Sequence, residues 1–241
     1  MPGTLYLIPN TLGETEALAN VLPEQVQRIT AQLDYFVAEN AKTARAFLKL
    51  VNASHPLAKP LQEIQIAELN VNTPASALAG LLAPLLAGKD GGLVSEAGVP
   101  AVADPGADLV RLAHQHNIPV RPLVGPSSLL LAVMASGLNG QSFAFNGYLP
   151  TDAAQRLTRI KELEQRSRKE KQTQLFIETP YRNAAMLEAL VAACAPGTLI
   201  CVATDLSLPS ETIRTMTAAQ WKKASAPDFH KKPTVFLLLG Q

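Results

Sequence analysis

Only two cysteines occur in 241 residues. Two thiols cannot staple a fold, so a disulfide-built secreted scaffold is excluded. No stretch of about 20 continuous apolar residues exists, as a membrane span requires. The least charged segment, Pro122 to Thr151, is interrupted repeatedly by Gly, Pro, Ser and Asn. The first residues have no basic region and carry Glu14 and Glu16, so no secretory leader is read there. The expectation is a soluble, cytoplasmic protein without membrane attachment. Charge of one sign is also lacking, since the formal net charge is only +1. The 18 Pro and 14 Gly follow no repeating pattern, which excludes collagen-like and simple repeat chains.

Several chemical signatures are missing as well. No G-x-G-x-x-G follows a strand, which leaves a Rossmann dinucleotide site without support. Gly88-Lys89 is followed by Asp90 rather than Ser or Thr, so there is no Walker A loop. There is no H-E-x-x-H, and His114 and His116 are two apart, which puts them on different helix faces. No metal site is expected. Cys194 and Cys201 read as small buried hydrophobes.

What is present is a large apolar fraction, 47%, arranged in alternating strand and helix signals. In the first half, Thr4–Pro9, Gln32–Glu39, Ile64–Leu69, Gly92–Ser95 and Val120–Val124 read as strands. Helices are predicted over Glu14–Leu22, Lys42–Val51, Ala75–Leu86 (bent or restarted at Pro84) and Pro105–His116. This alternation implies βαβ units and a parallel sheet. Pro126–Ser136 is apolar nearly all round and should be a buried helix. Beyond it come strand Phe143–Tyr148, a charged helix over Asp152–Glu170, strand Gln174–Glu178, helix Arg182–Cys194 and strand Thr198–Thr204. Glu211–Thr215 and Thr234–Leu239 read as closing strands. The fold class is therefore α/β with two α/β domains. Residues 1–124 hold a mainly parallel five-stranded sheet, and residues 125–241 a mixed sheet, joined through the helix over 126–137. The first domain carries a net charge of −3 and the second +4, which allows a basic face on the second.

Ligands of such sheets sit beyond the carboxyl ends of the strands. The richest strand-end segment is Gly92–Gly106. Gly98 permits a turn that a side chain would block. Asp104 before Pro105 reads either as a helix N-cap or as a ligand contact. Glu96 is either solvated or at the ligand position. In Gly125–Ser128, amides at a helix start suit an anion, and Ser127 and Ser128 either cap the helix or donate to that ligand. Ile8–Gly13 can line a cleft. In Phe176–Arg182 a Glu178–Arg182 ion pair competes with a functional reading.

These segments, in this order, resemble the tetrapyrrole methylase superfamily of S-adenosylmethionine-dependent methyltransferases, and within it the branch of ribosomal RNA small subunit methyltransferases I. Gly3–Pro9 matches G-T-L-Y-[IL]-[VI]-P. Ser95–Gly106 matches S-[DE]-A-G-x-P-x-x-x-D-P-G without a gap. Gly125–Ser128 compares with P-G-[AP]-[SC]-[AS], Glu178–Arg182 with E-[ST]-P-x-R, and Ala203–Glu211 with A-R-E-L-[TS]-x-x-x-E. Two departures stand out. Ala38-Glu39-Asn40-Ala41-Lys42 replaces A-E-D-T-R, and Thr204 replaces an Arg.

The resemblance implies a homodimer that holds S-adenosyl-L-methionine in a cleft between two domains. It places the cofactor against Ser95, Glu96, Ala97, Gly98, Val99, Pro100 and Asp104, and against Gly125, Ser127 and Ser128. The loop after the first strand would face the substrate. Methyl transfer is an in-line displacement that needs chiefly alignment, with a base where the acceptor is a hydroxyl. Glu39, Lys42, Glu178 and Arg182 are the catalytic candidates: Glu39 or Glu178 as base or orienter, and Arg182 for steering phosphate or carboxylate. The acceptor is expected to be rRNA, alone or in the small ribosomal subunit, methylated on a ribose hydroxyl. A tetrapyrrole-like small molecule and a non-catalytic cofactor-binding role are the alternatives. Seven Lys and Arg against three Glu in Arg156–Lys171 offer a face that RNA phosphates would use, although such a run is more often simply a solvated helix.

Overall fold

The computed structural model describes every residue from Met1 to Gln241 except Glu16 and Ala17. The chain divides into two compact units, Met1–Ser127 and Ser128–Gln241.

The first unit contains β1 (Leu5–Ile8), α1 (Glu24–Gln32), β2 (Tyr35–Ala38), α2 (Ala41–Ser54), β3 (Gln65–Glu68), α3 (Leu78–Leu86), β4 (Gly91–Val94), α4 (Ala107–Gln115) and β5 (Val120–Pro122). Its sheet has the order β3-β2-β4-β1-β5 with every pairing parallel. Side chains alternate across it, as the period of two requires. Ile8, Phe36 and Val94 face Val26 of α1 and Phe47, Leu48 and Val51 of α2. Leu5, Tyr35, Val37 and Leu93 face Leu82 and Leu85 of α3 and Leu109 and Ala113 of α4. The chain therefore leaves β1 and β2 toward one face and β4, lying between them, toward the other. The loops after these three strands splay apart over the end of β4, the arrangement that opens a ligand crevice in doubly wound sheets.

The second unit contains α5 (Ser128–Ser136), β6 (Phe143–Tyr148), α6 (Ala153–Glu170), β7 (Thr173–Ile177), α7 (Asn183–Ala193), β8 (Leu199–Thr204), β9 (Thr212–Thr217), α8 (Ala218–Trp221) and β10 (Thr234–Leu239). Its sheet is mixed, in the order β6-β7-β10-β8-β9. β6 runs parallel to β7, while β10 is antiparallel to both its neighbours. The core centres on Phe176 and Phe236, stacked with ring centroids 6.1 Å apart. Cys194 and Cys201 are free and buried, and burial, with Glu164 nearby, pushes the Cys194 thiol up to about 12.

Four local expectations are corrected. The helix predicted over Glu14–Leu22 is absent from its described residues, where a 3₁₀ turn covers Leu18–Asn20; Glu16 and Ala17 lie outside them. Pro23 disfavours helical backbone at Leu22 and instead precedes α1, a helix the sequence did not announce. Part of the buried face of α1 is polar: Gln27 and Thr30 are satisfied by the Leu22 and Val26 carbonyls, which masks the apolar stripe. The break expected at Pro84 lies earlier, where a 3₁₀ turn over Ala75–Ala77 gives way to α3. The helix expected from Pro105 begins at Ala107, with Gly106 as its N-cap at φ +134°. Finally, α5 is not buried all round, since Leu130 and Met134 are exposed. Among the described residues no helix is long and apolar enough to cross a membrane.

Candidate functional site

Three carboxylates gather at the ends of β2 and β4. Glu39 directly follows β2, and its Oε1 is buried without a hydrogen-bond partner among the described residues. Burial, reinforced by Asp104 and Glu96, raises its pKa to about 7. Asp104 is raised too, by burial first and then by Glu96, with the Ser95 hydroxyl pulling the other way. Glu96 is exposed and accepts from the Thr43 hydroxyl of α2. None of the three has a Lys, Arg or His partner among the described residues. The strand ends thus hold more negative charge than the protein itself neutralises.

Asn10, which the sequence reading passed over, holds this loop in place. Its side-chain amide donates to the carbonyls of Ser95 (3.2 Å) and Glu96 (3.1 Å), while its Oδ1 accepts from Thr11 N–H. Its backbone N–H donates to the Gly98 carbonyl at 2.8 Å. An Asn beside a Pro reads as turn punctuation, which is why the signal was missed. Gly98 sits at φ +68°, and an added Cβ would lie 3.2 Å from Leu12 Cδ2. Ala101 and Ala103 also adopt left-handed backbone, at φ 65° and 64°, a local strain typical of functional loops. Because Gly106 caps α4, Asp104 is not the N-cap, and its half-buried carboxylate is left for other work. Ser95 and Pro100 are buried, Val99 is half-buried and Ala97 is exposed. Between this loop, the Asn10–Thr15 segment and α2 lies a groove of about 500 Å³, lined by Thr43, Phe47, Leu50 and Glu96 among others.

Other predicted residues fall as follows. Lys42 is exposed in the first turn of α2. Asn40 accepts from Lys42 N–H at 2.8 Å and caps that helix. Gly125 lets the end of β5 approach β1, since a Cβ there would lie 2.3 Å from Pro9. Ser127 closes the first unit and Ser128 opens α5.

In the second unit Glu178 and Arg182 do pair. Glu178 Oε1 accepts from Arg182 Nε (3.0 Å), Arg182 Nη2 (2.6 Å) and Thr179 N–H (2.7 Å). The Glu178 side chain is 0% exposed and its Oε2 is unpartnered among the described residues, whereas Arg182 is 35% exposed. The basic helix is less bare than its composition suggests. Arg156 is buried and donates to the Thr151 carbonyl, and Arg159, Arg166 and Arg168 face Glu162, Glu170 and Glu164.

The profile of the tetrapyrrole (corrin/porphyrin) methylases matches residues 17–221. The chain belongs to this family. It is 30% identical to ribosomal RNA small subunit methyltransferase I of Xylella fastidiosa over 240 residues, 100% of this chain and 82% of that one. It is 32% identical to the Mesorhizobium japonicum protein of the same name over 213 residues, 88% of this chain and 67% of that one. In fold it resembles the methyltransferase CobJ, with TM-score 0.63, 18% identity and coverage of 99% and 94% of the two chains. Cobalt precorrin-4 methyltransferase CbiF follows with TM-score 0.59, 16% identity and coverage of 98% and 94%. As a tetrapyrrole methylase the chain is an S-adenosylmethionine-dependent methyltransferase. Its residues fit that cofactor: carboxylates without a cationic partner suit a ligand that carries a sulfonium and an ammonium, and the glycine at position 98 keeps the loop backbone open.

Proposed function

We propose that this enzyme methylates a ribose hydroxyl of small-subunit ribosomal RNA, in the cytoplasm, with Glu39 as the proton acceptor. Likeness over the whole chain to proteins named ribosomal RNA small subunit methyltransferase I supports the substrate. The observation that carries the chemistry is Glu39. It is the strand-end carboxylate with a pKa near 7 and an oxygen left without a partner. A base works best with its pKa near the operating pH. Glu178 is the weaker candidate, since its side chain is inaccessible and one oxygen is already engaged by Arg182.

S-adenosylmethionine supplies an electrophilic methyl group on a positively charged sulfur. Ser95, Glu96, Ala97, Gly98, Val99 and Pro100 would hold it with loop backbone, aided by the turn at Gly125, Ser127 and Ser128. Glu96 and Asp104 would face its positive charges. Ionised Glu39 would take the proton that the acceptor oxygen gives up as that oxygen bonds the methyl carbon and the bond from this carbon to sulfur breaks, the sulfur leaving as a neutral thioether. Lys42 and the solvent-facing part of Arg182 would steer phosphates. The groove beside Thr43 and Leu50 gives an acceptor nucleotide room next to the cofactor loop. We read the enzyme as a homodimer, because Leu130 and Met134, one turn apart on α5, are 58% and 77% exposed.

The test is transfer of a labelled methyl group from S-adenosylmethionine to separate pools of rRNA, small ribosomal subunits and tetrapyrrole precursors. Label in rRNA or subunits that is lost in Glu39→Gln supports the proposal. Label in the tetrapyrrole pool alone overturns the substrate.

A further inference from the structure

We propose that Tyr181 and Lys231 form a stacking platform for an unpaired base of the RNA acceptor, outside the strand-end site of the first unit. The inference rests on the ribosomal RNA reading and names a second place where that RNA is held.

Tyr181 lies in the 3₁₀ turn Pro180–Arg182 after β7 and is 73% exposed. A tyrosine ring left in water leaves a large apolar surface uncovered. Beneath it, Arg182 is tied to the inaccessible Glu178 carboxylate, and Arg182 N–H donates to the Thr179 carbonyl at 2.8 Å. Next to it, Asn183 is 0% exposed. Its side-chain amide donates to the carbonyls of Phe229 (2.8 Å) and Lys232 (2.9 Å) and lies 3.1 Å from Thr234 Oγ1. Lys231 N–H reaches back to the Pro180 carbonyl at 3.3 Å. The turn that carries the ring and the loop that carries the lysine are thus joined from below by buried polar groups.

Lys231 itself stands at φ +61°, a backbone state few side chains adopt without tertiary support. Its ammonium lies 5.9 Å from the Tyr181 ring centroid. No carboxylate pairs with it among the described residues, whereas neighbouring Lys232 is engaged by Asp228 and Asp205. An exposed aromatic ring on a braced turn, with an unneutralised cation over one face, has the two parts that single-stranded nucleic acid uses: an open π-surface for a base and a charge for the adjoining phosphate. The +4 net charge of residues 125–241 favours an anionic partner over a neutral one, and the exposed Tyr181 ring favours a nucleic-acid base among anionic partners.

The test is fluorescence anisotropy of the full chain with a labelled, unstructured RNA of about 12 nucleotides, a length within single-strand site sizes. The expected result is that Tyr181→Ala weakens binding by roughly 5- to 100-fold, the worth of one stacked base, and that Tyr181→Phe restores it. Lys231→Gln should lower the slope of log affinity against log salt by about 0.7. S-adenosylmethionine affinity should be equal in all four proteins, which shows that the variants are folded. RNA binding by the wild type that Tyr181→Ala leaves unchanged overturns the platform and leaves the rRNA reading standing. A wild type that binds no RNA and methylates only tetrapyrrole precursors overturns both. Tyr181→Ala losing affinity for another protein while keeping its RNA affinity also overturns the platform.

Discussion

Asn10 and Gly98, 88 positions apart in sequence, form a lone antiparallel bridge: Asn10 N–H donates to the Gly98 carbonyl, and Gly98 N–H points back at the Thr11 carbonyl. This contact joins the loop after β1 to the loop after β4 across the crevice between their diverging connections. Gly98 makes it from left-handed backbone, at φ +68°.

Gly98→Val should therefore damage the site more than the fold. A β-branched residue is disfavoured at φ +68°, and its Cβ would press on Leu12 Cδ2 at 3.2 Å. We expect S-adenosylmethionine affinity to fall at least about tenfold, or roughly 1.4 kcal/mol, while the far-ultraviolet circular dichroism stays that of the wild type. Gly98→Ala should lie between. Calorimetric titration of the three proteins checks this, and equal affinities would remove the loop from the cofactor site.

Cofactor binding should tighten as pH rises through about 7, because ionising Glu39 adds the charge that attracts a cationic ligand. The rise between pH 6 and 8 is expected to approach but not exceed roughly tenfold. The free protein should respond in the opposite sense. Folded Glu39 keeps a proton up to about 7 that the unfolded chain releases near 4.5, so its contribution to stability declines as pH climbs through that window. Glu39→Gln should flatten both profiles. A wild-type affinity that does not change with pH would contradict this account.

Arg182→Ala should destabilise the second unit by about 3 kcal/mol, since it strands a carboxylate with no solvent exposure. The double change Glu178→Gln with Arg182→Met should recover much of that loss, because neither charge then remains. Thermal unfolding of the wild type, the single variant and the double variant is the measurement. A single variant as stable as the wild type would mean that the pair is a surface contact of little worth.

Light scattering at micromolar concentration should give twice the chain mass. Met134→Glu should give the chain mass alone, because it places a charge among side chains exposed on α5. A monomeric wild type would end the dimer reading.

Much of this architecture was legible in the sequence, for a physical reason. Strands buried on both faces read as short apolar runs, so β1, β2 and β4 stood out, and the helices between them dictated a parallel sheet. The Ser95–Gly106 loop was legible because Gly and Pro mark its turns. Three features were hidden. α1 buries Gln27 and Thr30 in a face that should look apolar. Asp104 imitates an N-cap because it precedes Pro105, although Gly106 at φ +134° does the capping. Asn10 acts through contacts with Ser95, Glu96 and Gly98, and sequence spacing carries no trace of such a pairing. Composition also overstated the bare charge of α6, because salt bridges engage its arginines with glutamates on the same helix.

The place of β10 in the second sheet has a consequence for synthesis on the ribosome. Residues Thr234–Leu239 fill the centre of that sheet, between β7 and β8. Until they emerge, the nascent chain has two strand edges with no partner and no Phe236 for Phe176 to stack on. The first unit needs nothing beyond Ser127 to complete its own sheet. Translation therefore delivers a finished N-terminal half attached to an open C-terminal one, and that interval is when the chain is most exposed to aggregation and to chaperones.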